Sequence, residues 1–148
     1  MKNNGLKGII PTSIASLPSL QMIDLSMNSL TGEVPVFVSE SLVEIVLGDN
    51  EFSGTLSNNL SDHPLLKWFD VSFNQLSGII PNSISSLSML EILEMSNNSL
   101  TGTLPESFAN LKALEDLFIQ NNQLTGTLPK ELFNSQIALR RFWIQNNF

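Results

Sequence analysis

The chain contains no cysteine. A disulfide framework and a thiolate metal site are both closed to it, and its redox compartment cannot be read from cysteine usage. Cations are scarce too: seven Lys and Arg face fourteen Asp and Glu, a net charge of −7. Nucleic acid and anionic lipid need a cationic footprint, so the expected partners are basic or neutral instead. No apolar run approaches the roughly 20 residues of a membrane helix, and direct membrane insertion is not expected. The opening Met1-Lys2-Asn3-Asn4-Gly5 lacks the apolar stretch of a secretory leader. The sole histidine, His63, has no second imidazole and no thiol to join it, so no metal site is expected. Phosphate-cradling loops and nucleophile–base pairs are missing as well, and neither a cofactor nor catalysis is expected.

What remains describes one folded domain over 1–148. A hydrophobic fraction of 42% beside a charged fraction of 14% is enough to build a sizeable core. The chain is repetitive along nearly its whole length. "NNSLTGTLP" at Asn97–Pro105 returns as "NNQLTGTLP" at Asn121–Pro129. The asparagine that opens each such phrase recurs at Asn4, Asn28, Asn50, Asn74, Asn98, Asn122 and Asn147, in steps of 24, 22, 24, 24, 24 and 25. Four residues after each of the first six stands a glycine. Seven residues after, five of the six positions are proline, with Ser57 the exception.

A second phrase precedes each asparagine. Leu20, Ile23, Leu25 and Asn28 form its first full copy, and Leu66, Phe69, Val71 and Asn74 a later one. Two apolar residues two apart predict a short strand with one side buried. After the proline, Ile14/Leu17, Ile84/Leu87 and Phe108/Leu111 fall three apart, which predicts a helical or 3₁₀ turn on the opposite side.

"LPSLQMIDLSMNSLTGEVP" (17–35) and "LSMLEILEMSNNSLTGTLP" (87–105) resemble the plant-type leucine-rich repeat, LxxLxLxxNxLxGxIPxxI. The resemblance implies an α/β solenoid: a right-handed superhelix of about six repeats, with a parallel sheet on the concave face and short turns on the convex one. It also implies a second short strand at the "TGxIP" phrase. The implied role is noncatalytic recognition of a protein or peptide, as in the ectodomains of receptor-like kinases and receptor-like proteins. The alternative is a standalone repeat protein that binds and inhibits an enzyme, like the polygalacturonase-inhibitor-like proteins. Extracellular or cell-surface localisation follows from the resemblance alone. The terminal caps of such arrays are missing, so the chain reads as an excerpt of a longer array or as a short protein whose ends self-associate.

The repeated residues read as scaffold. An amide side chain both donates and accepts, so Asn28, Asn50, Asn74, Asn98, Asn122 and Asn147 are expected to form a ladder satisfying backbone groups at the inward turn. Departures from the pattern predict local change. Two residues are missing between Val38 and Leu42, which calls for a tighter convex turn, and His63 replaces a core leucine and is expected to be half-buried.

Binding information is expected where residues do not repeat, on the concave strands. Asp24, Val46, Asp70, Glu94, Phe118 and Trp143 should occupy one column; Met22, Glu44, Trp68, Ile92, Asp116 and Arg141 the next. Exposed aromatics ringed by charge mark a recognition surface. The candidate binding residues are therefore Trp68, Asp70, Phe73, Glu94, Asp116, Phe118, Arg141 and Trp143. A peptide would place cations near Asp70 and Glu94, an apolar group near Phe118 and Trp143, and a carboxylate on Arg141. Two glycosylation acceptors occur, at Asn59 on the convex side and at Asn97 beside the concave face.

Overall fold

A computed structural model describes residues 4–133 and 137–148, and in it each phrase closes one coil of a solenoid. Twelve strands are present among these residues, numbered along the chain. Six line one face: β2 (Met22–Asp24), β4 (Glu44–Val46), β6 (Trp68–Asp70), β8 (Ile92–Glu94), β10 (Asp116–Phe118) and β12 (Arg141–Trp143). They form one parallel sheet in chain order. The remaining six are the shorter strands of the "TGxIP" phrases. β1 (Lys7–Gly8), β3 (Ser29–Glu33) and β5 (Glu51–Ser53) form one sheet; β7 (Ser77–Ile79), β9 (Ser99–Gly102) and β11 (Gln123–Leu124) form another. A single bridge between Thr55 and Ser77 joins the two.

The third side of each coil is a single turn. These are α1 (Thr12–Ala15) and the 3₁₀ turns η1 (Asn58–Asp62), η2 (Asn82–Ser86), η3 (Glu106–Asn110) and η4 (Lys130–Phe133). Pro11, Pro81 and Pro105 sit immediately before three of them in extended backbone, where the missing N–H costs nothing. Ser57 caps η1 differently, its hydroxyl accepting from the Asn59 N–H at 3.1 Å. The coil with the two-residue deletion carries no helical turn on its convex side, only a turn at 40–41, where the spacing called for a tighter turn.

The leucines of all coils merge into one core. Leu42, Leu66, Leu90 and Leu114, one per coil, are fully buried, as are Ile84, Leu87, Phe108 and Leu111 beneath the convex turns. Leu17 breaks the series at 47% exposed. His63 is more deeply placed than expected. It is buried, with Nδ1 3.0 Å from the Ser39 carbonyl oxygen, so the ring replaces leucine volume and satisfies a backbone group of the short coil at once.

The asparagine ladder is complete over the coils. Asn98 shows the pattern: its Oδ1 accepts from the Leu76 N–H at 2.9 Å, and its Nδ2 donates to the carbonyls of Val71, Met95 and Ser96. Asn50, Asn74 and Asn122 repeat it with the equivalent groups one coil away, and Asn147 bonds Leu124, Ile119 and Ile144. Each buried group left unpaired would cost about 1–3 kcal/mol, which is why the residue recurs.

The glycines of the second sheets do a different job. Gly102 has φ +78°, and a Cβ placed on it would lie 3.0 Å from Ile79 Cγ2 of the preceding coil. The missing side chain is a socket for a neighbour's methyl group.

Candidate functional site

Two columns cross the concave sheet in the register read from sequence. Val46 pairs with Asp70, Asp70 with Glu94, Glu94 with Phe118 and Phe118 with Trp143. Beside them Glu44 pairs with Trp68, Trp68 with Ile92, Ile92 with Asp116 and Asp116 with Arg141. All eight candidate residues lie on this face or at its rim, but they are not uniformly exposed. Phe73, Arg141 and Trp143 are exposed, Trp68 and Glu94 half-buried, and Asp70, Asp116 and Phe118 buried.

The buried ones are covered by neighbours. Arg141 grips the Asp116 carboxylate through Nε, at 2.6 Å, and through Nη2. The same guanidinium stacks 5.4 Å from the centre of the Phe118 ring, and Trp143 meets that ring edge-on at 5.0 Å. The carboxylate-receiving role foreseen for Arg141 is thus already filled from within the chain. The other two cations of this face are likewise engaged, Lys67 with Glu91 at 2.7 Å and Arg140 with Glu115 at 3.2 Å. Among the described residues no cation pairs with Glu44, Asp49, Asp70 or Glu94. The uncompensated negative charge therefore gathers on the earlier strands.

Two carboxylates there are held alike. Asp24 Oδ1 accepts from the N–H and hydroxyl of Ser26, at 3.0 and 2.6 Å, and Asp70 Oδ1 from those of Ser72, at 2.8 and 2.7 Å. Burial pushes the Asp70 carboxyl above its ordinary range against the pull of these bonds, helped by Asp24 and Asp49. Glu94 is raised to about 7 by burial first, then by the charges of Asp70 and Asp116.

A third column was not legible as such in the sequence. The residue before each ladder asparagine, Met27, Asp49, Phe73, Asn97, Asn121 or Asn146, has left-handed backbone, φ 50–61°. Asparagine tolerates that conformation, and Asn146, Asn121 and Asn97 form a short exposed amide chain through bonds of 2.6 and 2.8 Å. Met27 and Phe73 hold the same strained backbone with bulky side chains that are 46% and 54% exposed. Between them lies a cleft of about 200 Å³ lined by Asp24, Met27, Gly48, Asp49, Trp68, Asp70 and Phe73. Gly48 opens its floor, since a Cβ there would come within 2.7 Å of Asp70 Oδ2. The recurrence of Asn before the ladder position in the later coils was the available signal; nothing in composition pointed to Gly48.

Of the glycosylation acceptors, Asn59 is exposed on η1, whereas Asn97 is half-buried and accepts from Asn121. No group of metal-ligating residues is present among the described residues. No helix among them is long and apolar enough to cross a membrane.

A stack of such coils, with a parallel concave sheet and a continuous buried amide ladder, is a leucine-rich repeat solenoid. Residues 64–124 match the family model for the leucine rich repeat, and residues 19–40 match a second model of the same repeat. A comparison with curated proteins returned no match. Among solved structures, the plant peptide hormone receptor RGFR1 in complex with RGF2 superposes with a TM-score of 0.93 at 32% identity, over 99% of this chain and 24% of that one. The ectodomain of the Arabidopsis receptor kinase HAESA, in complex with an N-terminally extended IDA peptide hormone, gives 0.94 at 32% identity, over 99% and 25%. The ectodomain of the Arabidopsis thaliana receptor kinase SOBIR1 gives 0.75 at 30% identity, over 85% of this chain and 71% of that one. The chain belongs to the leucine-rich repeat family, in its plant type. It spans about a quarter of the length of the RGFR1 and HAESA chains.

Proposed function

We propose that the concave face of this chain is a noncatalytic recognition surface for an extended peptide or protein segment with basic and apolar residues, displayed outside the cell as part of a receptor-type ectodomain. One observation carries the reading: on a face whose every cation is already paired, carboxylates without a cation lie beside exposed aromatics. Trp68, Asp70, Phe73 and Glu94 form the acidic half. Phe118 and Trp143 form an apolar platform, with Asp116 holding Arg141 in place over it. The peptide-bound receptors RGFR1 and HAESA support the same class of ligand. Secretion would put the exposed Asn59 acceptor to use.

The test is selection of peptides from a displayed random library on the immobilised chain. Selected peptides should lose at least tenfold in affinity for Glu94→Lys and for Trp143→Ala, and keep it for Glu106→Lys on the exposed convex turn. Peptides indifferent to both concave changes, or no selectable peptide at all, would overturn the reading.

A further inference from the structure

The cleft between Met27 and Phe73 lies inside the array, with coils on both sides, so its surface does not depend on the end coils. Its two walls are a puzzle for a purely structural account. Left-handed backbone suits asparagine, and the three later coils use asparagine there. Met27 and Phe73 instead accept the strain and leave about half of each side chain in water. Neither cost is repaid by burial in the core.

The floor has its own unmet demand. Asp70 is 8% exposed, and its Oδ1 takes both bonds from Ser72. Its Oδ2 receives no donor among the described residues and lies over Gly48, the position where a Cβ would obstruct it. Asp49 stands between the walls without a cation partner. The three cations of the concave face are committed to Glu91, Glu115 and Asp116, so none of them reaches Asp49 or Asp70. Apolar walls over a carboxylate floor match a long side chain that ends in a cation, with an apolar stem and a charged head.

We propose that this cleft is a subsite for one lysine or arginine side chain of a peptide partner, its methylene stem between Met27 and Phe73 and its charged head on Asp70 Oδ2 and Asp49. The assignment rests on the concave-face reading above and adds a position and a side-chain class to it.

The probes are three capped pentapeptides, Gly-Gly-Xaa-Gly-Gly, with Xaa arginine, norleucine or glutamate, titrated into the whole labelled chain by NMR. The arginine probe should shift the Met27 methyl and the Asp49 and Phe73 amides, with a dissociation constant at least tenfold below that of the norleucine probe. The glutamate probe should leave them unmoved. In the Met27→Asn/Phe73→Asn chain, whose new residues suit the backbone, the arginine probe should weaken about tenfold while norleucine falls to the same level. Equal response to arginine and norleucine, or arginine shifts spread over Glu44 and Glu94 with none at Met27, would overturn the subsite. Because peptide selection on the whole face is scored separately, its success with failure here removes only the subsite, and its failure removes the wider reading.

Discussion

Arg141 closes over Asp116 from the next strand, binding its carboxylate with two nitrogens while lying against the Phe118 ring. The pair is asymmetric: the Asp116 side chain is buried and that of Arg141 mostly exposed. Arg141→Met should therefore leave a desolvated carboxylate behind and lower stability, by less than breaking a fully buried pair would because one partner is in water. Adding Asp116→Asn should return most of that loss. A urea double-mutant cycle measures the coupling; additive losses would mean the contact is idle.

The ladder makes a larger demand. Asn98→Ala strands the Leu76 N–H and removes the donor to three carbonyls, that of Val71 on the preceding coil and those of Met95 and Ser96 on its own. A loss of about 3 kcal/mol is expected from equilibrium unfolding, since one buried donor is orphaned and several acceptors lose a bond.

Phe73→Asn should move the other way. Its backbone at φ 50° is one that asparagine adopts with less strain, and the side chain removed is half in solvent. A gain of about 1 kcal/mol is expected in the free energy of unfolding by urea, and Asn121→Phe should show a loss of similar size. A stability gain coupled to weaker binding of the arginine probe would separate the two demands on this position.

Glu94 predicts a pH dependence whose sign is fixed. Its carboxyl is raised from the ordinary 4.5 to about 7, so the folded chain binds its proton more tightly than the unfolded chain does. The stability so gained is fully present below pH 4.5 and is lost as pH rises through about 7. Asp70 is raised in the same direction. The melting temperature should fall between pH 5 and pH 8 by more in the native chain than in Glu94→Gln, a difference of about 1 kcal/mol once solvent screening of a half-exposed group is allowed for. Parallel melting curves for the two chains would count against it.

Register and ladder were legible in the sequence, and so was a change at the short coil, because each coil faces the same burial problem and solves it with the same residue types. Asn50 and Asn74 announce themselves by spacing alone. Exposure on the concave face was less legible. Asp116 and Phe118 occupy strand positions that point to solvent, and only the three-dimensional reach of Arg141 and Trp143 buries them. His63 was read as half-buried, yet the deletion in the preceding coil brings the Ser39 carbonyl to its ring and takes it fully inside. The cleft escaped for a similar reason: Gly48 has no phase in the repeat, and its value appears only beside the Asp70 carboxylate.

The sockets along the second sheets bear on how such a chain can change its length. Gly32, Gly78, Gly102 and Gly126 each face the Cγ2 methyl of Ile9, Thr55, Ile79 or Thr103 from the coil before. The plug is always a β-branched residue and the hole always a glycine, so any coil with that plug can precede any coil with that hole. Glu33 over Gly54 is the one joint made differently, and it falls at the short coil. Away from that joint the seam is written in interchangeable parts. Excising a whole 24-residue unit would bring Thr55 over Gly102 with the same methyl group in the same hole, so the array can gain or lose coils by whole units without inventing a new interface.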